Sequence, residues 1–208
     1  QTFLVQSIWD SLSNEEFFII EFYANDSAGN INNGTSYMLY KDILSPRINI
    51  NYPYIEQVFG EEYFDFDLDL EDLSFQYIWY TLHTKEEGWS ENITLTLGQL
   101  SGEINNNLWD SCQNGTIYIR FYANDSAGNF NFQQIKIFKD LIAPNIQIIS
   151  PNNGQRINNA PNFILNITEP FLESTWYMLM NSSNDLHFTE NHTFQYSNEN
   201  FILSQYWN

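Results

Sequence analysis

The nonapeptide FYANDSAGN stands in this chain twice, at residues 22–30 and 121–129, ninety-nine residues apart. A recurrence at that distance marks a domain-sized unit, well beyond the roughly 20–50 residues of a solenoid repeat. The likeness runs on either side of it. Trp9-Asp10-Ser11 answers Trp109-Asp110-Ser111, and Lys41-Asp42 with Pro46 answers Lys139-Asp140 with Pro144. Pro53 answers Pro151, Trp79-Tyr80 answers Trp176-Tyr177, and Glu91-Asn92-Ile93-Thr94 answers Glu190-Asn191-His192-Thr193. The last ten residues, ENFILSQYWN, resemble the first ten, QTFLVQSIWD. The spacing predicts a tandem array with boundaries near Ser45 and Ala143. Residues 1–45 are then the C-terminal half of one unit, 46–143 a complete unit, and 144–208 the N-terminal half of the next. On this reading the segment comes from a longer repetitive chain.

The local pattern predicts strands. Tyr63 to Leu70 reads YFDFDLDL, with Asp65, Asp67 and Asp69 on one parity, which alternation places on a solvent face. In the third copy Asn162 and Asn166 take the places of Asp65 and Asp69. Leading into the nonapeptide, Phe18/Ile117, Ile20/Ile119 and Phe22/Phe121 share one parity, expected inward. The other parity carries Phe17/Thr116, Ile19/Tyr118, Glu21/Arg120 and Tyr23/Tyr122, and the charge reversal at Glu21/Arg120 suits an outward position. Asp-Ser-Ala-Gly-Asn is a tight turn in which Gly29 and Gly128 can take positive φ. No stretch has helical periodicity with caps. Short strands with a Trp on a central one, Trp79 or Trp176, predict an all-β immunoglobulin-like sandwich with both tryptophans in the core.

The order Ala123-Asn124-Asp125-Ser126-Ala127-Gly128-Asn129, then Lys139-Asp140 and Pro144, then Ile146-Gln147-Ile148, resembles the tandem Ig-like domains of large bacterial and archaeal surface proteins. In those domains a hairpin of this type joins the last two strands and a linker of this type leads to the next domain. The Asn-, Ile- and Tyr-rich wording looks most like repeats of archaeal cell-surface proteins, those of the Asgard group in particular. The resemblance covers essentially the whole chain. It implies an S-layer, adhesin or filament component, extracellular and on the cell surface.

Charge narrows the partners. Seven Lys+Arg against 26 Asp+Glu give a formal net charge of −19, which argues against nucleic acid or an anionic membrane as partner. No run of about 18 apolar residues is present to span a bilayer. Catalytic and cofactor signatures are missing: His83, His187 and His192 lack zinc spacing, and no nucleophile elbow or phosphate loop occurs. The expectation is a non-enzyme without an organic cofactor. Cys112, in the slot that Leu12 fills in the other copy, reads as a small buried hydrophobe.

Glycan acceptors are the main chemical feature. Eight N-x-S/T sequons occur, at Asn25, Asn33, Asn92, Asn114, Asn124, Asn166, Asn181 and Asn191. Random order of this chain's Asn, Ser and Thr would give about four. Asn92 and Asn191 recur at one repeat position although the residue between Asn and Thr changes. Asn166 replaces an outward Asp. These two observations put Asn92, Asn191, Asn166, Asn33 and Asn181 ahead of Asn25 and Asn124, whose sequon doubles as turn chemistry. Asp26, Asp42, Asp125 and Asp140 are candidate calcium ligands at linkers, where they could meet Glu71- or Glu169-type residues; solvated carboxylates are the alternative. The outward aromatics Tyr23, Tyr122, Tyr118 and Phe17 suggest either a carbohydrate-stacking platform or contacts between neighbouring domains. The functional expectation is a structural repeat of a glycosylated extracellular filament, stalk or surface layer whose partner is itself, either as continuing repeats of one polypeptide or as a head-to-tail polymer of separate copies. The alternative is an adhesin or glycan-binding receptor module.

Overall fold

The structure is a computed structural model that describes residues 6–159, 161–179, 192–194 and 201–202. It divides into two compact units, Gln1–Asp140 and Leu141–Asn208. Among the described residues the fold is all-β apart from two helices of six residues each. In the first unit α1 (Gln6–Ser11) precedes the hairpin β1 (Phe17–Phe22) and β2 (Thr35–Tyr40). Then come β3 (Arg47–Tyr52), β4 (Val58–Phe59), β5 (Asp65–Glu71), β6 (Phe75–Thr84), β7 (Gly88–Trp89), β8 (Ile93–Thr94) and β9 (Ser101–Glu103). After α2 (Asn106–Ser111) the long hairpin β10 (Gly115–Asp125) and β11 (Phe130–Lys139) closes the unit. The second unit contains β12 (Asn145–Ser150), β13 (Asn162–Thr168), β14 (Thr175–Tyr177), β15 (His192–Phe194) and β16 (Phe201–Ile202).

Within residues 46–140 two sheets share one core. One runs β3-β5-β9; the other runs β4-β11-β10-β6-β7, with β8 also on β6. Alternation decides which side chains enter. Phe66 and Leu68 of β5 are buried while Asp65, Asp67 and Asp69 face out. Ile117, Ile119, Phe121 and Ala123 of β10 are all fully buried. Phe66 meets Tyr80 and Phe121 across the core at 5.9 and 5.4 Å. Each such large apolar side chain contributes about 1.5–3 kcal/mol on leaving water.

The core tryptophan is not the expected one. Trp79 lies between the buried Ile78 and Tyr80 and so points to the opposite face, where it is only half-buried. Register explains this: Trp79 pairs with Tyr122 and Tyr80 with Phe121, so Trp79 shares the outward parity of Tyr122. Trp176 is 53% exposed. The buried tryptophan is Trp109, fully enclosed on α2, with Phe64 edge-on at 5.0 Å and Phe59 at 6.2 Å.

The Trp-Asp-Ser motif forms short helices where none was expected. Asn105 caps α2, its Oδ1 accepting from the Leu108 N–H at 3.0 Å, and the Asn105 N–H donates to the buried Tyr80 hydroxyl at 2.7 Å. At the other end the ammonium of Lys139 donates to the Trp109 and Cys112 carbonyls at 2.6 and 2.9 Å and lies 4.6 Å from the Trp109 ring centre. Lys41 does the same for α1, donating to Trp9 and Leu12 carbonyls at 2.8 Å each, 5.2 Å from the Trp9 ring. A cation at a helix C-terminus satisfies orphan carbonyls and the dipole together. The lysine of the linker motif is thus a helix cap. Cys112 is buried in the core, as expected, and burial, the largest influence on it, pushes its thiol up to about 11.

The nonapeptide's turn is built identically in both copies. Asp125 accepts from the Asn129 backbone N–H at 2.8 Å and from its side-chain amide at 2.7 Å; Asp26 accepts from Asn30 in the same way at 2.9 and 2.7 Å. The Asn30 amide, aided by the Asn30 N–H, holds the Asp26 carboxyl below its usual range. Gly29 and Gly128 sit at φ 85° and 90°.

The second unit repeats local pairings of the first. Ile146 pairs with Ile167 and Ile148 with Leu165, as Ile48 pairs with Leu70 and Ile50 with Leu68, with the register shift at the same place. Trp176 pairs with Thr193 and Tyr177 with His192, as Trp79 pairs with Thr94 and Tyr80 with Ile93.

Candidate functional site

Three carboxylates converge within the first unit. Asp42 comes from the linker after β2, Asp72 from the turn after β5, and Asp125 from the end of β10; their oxygens lie within 4.8 Å of one another. Asp125 is 1% exposed, and the other two are half-buried. The Ser74 hydroxyl donates to Asp42 Oδ2 at 2.6 Å, and the Ser74 N–H to Asp72 Oδ1 at 2.8 Å. The linker backbone is fastened here too. Asn129 Nδ2 donates to the Asp42 carbonyl at 3.3 Å, and Asn131 Nδ2 to the Pro46 carbonyl at 2.9 Å.

The chemistry of this donor set is all oxygen, as hard divalent cations prefer. The two described ion pairs are Arg47 with Glu71 and Lys136 with Glu56, so neither reaches the trio. Like charges this close repel, and a cation between them would offset that repulsion. Asp42, Asp72 and Asp125 are therefore the residues that could hold a divalent ion. Of the four sequence candidates the structure brings Asp42 and Asp125 together. Asp26 stays on its own exposed turn, and Asp140 donates its N–H to the Phe59 carbonyl at 2.8 Å. Glu71 instead pairs with Arg47 at 3.7 Å on the surface. Asp72 escaped notice because Glu-Asp-Leu-Ser between two strands reads as ordinary turn sequence.

The sequons fall mainly on exposed positions. Asn25, Asn33, Asn92, Asn114 and Asn166 are exposed. Asn166 stands outward on β13 as Asp69 does on β5. Asn124 is half-buried on β10 and its side-chain oxygen is enclosed without a partner. Asn181 and Asn191 lie outside the described residues, as does His187.

Outward aromatics form a layer on the β6-β10-β11 sheet. Trp79 stacks on Tyr122 at 5.3 Å and 5°, with Phe130 5.9 Å from both. Arg120 lies between the Trp89 ring at 4.0 Å and the Phe132 ring at 4.3 Å and donates to Gln134 at 2.7 Å. His83 sits between Trp89 and Tyr118. In the first copy this layer is thinner. Phe17 is exposed beside Tyr40, and Tyr23 donates to Glu21 at 2.5 Å, which raises the tyrosine's pKa.

No helix among the described residues is long and apolar enough to cross a membrane. No family model matches the chain, and no curated protein does. Among solved structures it is similar to the crystal structure of an engineered protein, with a TM-score of 0.36 and 12% identity over 46% of this chain. The chain spans 20% of that protein's length.

Proposed function

We propose that this chain is a structural repeat segment of a glycosylated extracellular filament, stalk or surface layer. Its units are immunoglobulin-like sandwiches of about 98 residues in tandem, of the archaeal or bacterial surface type that the sequence resembles. The observation that carries this reading is the linker 41–46. Its start is held by the Lys41 ammonium on the α1 carbonyls, and its next residues by Asn129 and Asn131 of the following hairpin. A linker bonded on both sides suits a stiff, load-bearing rod better than a flexible tether. The acidic composition and the exposed sequons agree with such a role.

Glycosylation is tested by mass spectrometry of peptides from protein isolated at the surface of its native cells. Glycans are expected on Asn92, Asn166 and Asn191, with Asn33 and Asn181 next. Unmodified asparagine at the first three removes glycans from the proposal.

In this reading Asp42, Asp72 and Asp125 bind calcium and tighten the linker. A calcium concentration about 100 times Kd adds about 2.7 kcal/mol, which for a unit this size is roughly 10 °C in melting temperature. Calcium should raise the melting temperature and EDTA reverse it, and Asp72→Asn should abolish the response. Identical melting curves in both would mean that the trio holds no calcium.

The second reading, a glycan-binding module, draws on the Trp79–Tyr122–Phe130 layer, whose flat rings suit sugar faces. Chemical-shift changes confined to these rings on adding oligosaccharide would favour it.

A further inference from the structure

Within residues 46–140, one sheet edge brings a sequon and an aromatic ring together. β7 and β8 both pair with β6, on the side away from β10, and β7 ends that sheet among the described residues. Trp89 pairs with His83, and the Ser90 N–H donates to the Leu82 carbonyl at 2.7 Å. Ile93 and Thr94 pair with Tyr80 and Trp79. Glu91 and Asn92 are thereby left opposite the single residue Thr81, as in a β-bulge. Counted back from Thr94, whose partner Trp79 faces out, Asn92 has outward parity, and it is exposed. Trp89 and Asn92 thus share the outer face of one edge.

The groups described against the Trp89 ring come from inside the sheet: the Arg120 guanidinium of β10 at 4.0 Å and the His83 ring of β6 at 4.7 Å. Its far side is turned to solvent, and Trp89 is 41% exposed. The spacing of ring and acceptor is repeated in the sequence. Trp89-Ser90-Glu91-Asn92-Ile93-Thr94 is answered by Phe188-Thr189-Glu190-Asn191-His192-Thr193. The residue three before the asparagine changes from Trp to Phe but stays aromatic. Residues 188–191 lie outside the described residues, so that likeness is one of sequence.

We infer that the first sugar of a glycan on Asn92 seats on the Trp89 ring of the same chain. This rests on the glycosylation reading above and adds where the sugar lies. The linkage forms when Asn92 Nδ2 displaces the phosphate leaving group at the anomeric carbon of an activated sugar. The C–N bond forms, the C–O bond breaks, and one amide proton passes to a base of the transferring enzyme. A linked pyranose presents a face of C–H bonds, apolar and weakly positive, that complements the negative face of an indole. Seating takes apolar area of both partners out of water. It also holds the glycan along the β7–β8 edge, where it blocks pairing with a further strand.

The test uses the glycoprotein from its native cells. Mass spectrometry reads whether Asn92 carries sugar, and NMR of the same material reads where that sugar lies. Ring currents should move the C–H protons of the first Asn92 sugar upfield of their positions in the same glycoprotein unfolded in urea. Their signals are assigned by their loss in Asn92→Gln. Trp89→Leu should leave Asn92 occupied and remove the upfield shift, whereas Trp89→Phe should keep most of it. The leucine chain should fold, because Arg120 remains held by the Phe132 ring and Gln134. Enzymatic removal of glycan should lower the melting temperature of the parent chain more than that of the Trp89→Leu chain. An occupied Asn92 whose sugar protons are not shifted, a shift that survives Trp89→Leu, or equal melting losses would overturn this inference and leave glycosylation standing. A bare Asn92 would overturn both.

Discussion

Trp109→Ala is expected to destabilise the 46–140 unit by about 3–5 kcal/mol. Trp109 is fully buried, and it is wedged between the Phe64 and Phe59 rings on one side and the Lys139 ammonium on the other. Alanine would leave a cavity that two stacked phenylalanines, 3.9 Å apart, are poorly placed to fill. The indole N–H has no partner in the structure, so losing it removes no hydrogen bond, and the cost is packing. Trp79→Ala is the comparison. It removes a half-buried ring stacked on Tyr122 and should cost on the order of 1 kcal/mol, the usual worth of an aromatic pair plus partial burial. Urea melts of both variants decide the matter, with midpoints shifting at constant slope. Equal costs would mean that the assignment of inner and outer faces on β6 is wrong.

Lys139→Met is expected to cost about 2–4 kcal/mol although methionine fills nearly the same volume. Lys139 is 3% exposed, and its ammonium satisfies two carbonyls at the end of α2. Trp109 O keeps the Cys112 N–H at 3.1 Å, but no other bond to Cys112 O is described. A buried acceptor left without its donor costs about 1–3 kcal/mol, and the dipole and ring contacts add to that. Lys139→Arg should not rescue it, since a planar guanidinium fork is larger and differently shaped than the ammonium that reaches these two carbonyls. Chemical denaturation measures this too. A loss below about 0.5 kcal/mol would mean water replaces the ammonium and the cap is dispensable.

Much of this was legible from two-residue alternation. YFDFDLDL placed Phe66 and Leu68 inside and three aspartates outside, and the doubled Phe22/Phe121 parity set the inner face of the long hairpin. Alternation says nothing of how strands align with each other, and there the reading failed. Trp79 was put in the core by analogy with other sandwiches, whereas its register partner Tyr122 already had outward parity. Trp109 was hidden because six residues are too few to show a helical period, although its repetition as Trp9 was visible. Lys139 stood out only as part of the repeated linker motif, because its carbonyl partners lie 30 and 27 residues back in sequence. Asp42 and Asp125 were candidates from the motif, but Asp72 joins them through a turn without a signature of its own.

Electron microscopy of the protein on its native cells addresses the central claim directly. An eleven-residue strand such as β10, at about 3.4 Å per residue, makes each unit roughly 35–40 Å long. The account predicts thin, stiff rods or a surface lattice with an axial repeat near that length, built of near-identical units. Compact particles without an axial repeat, or flexible strings whose units tumble independently about residues 41–46, would contradict it.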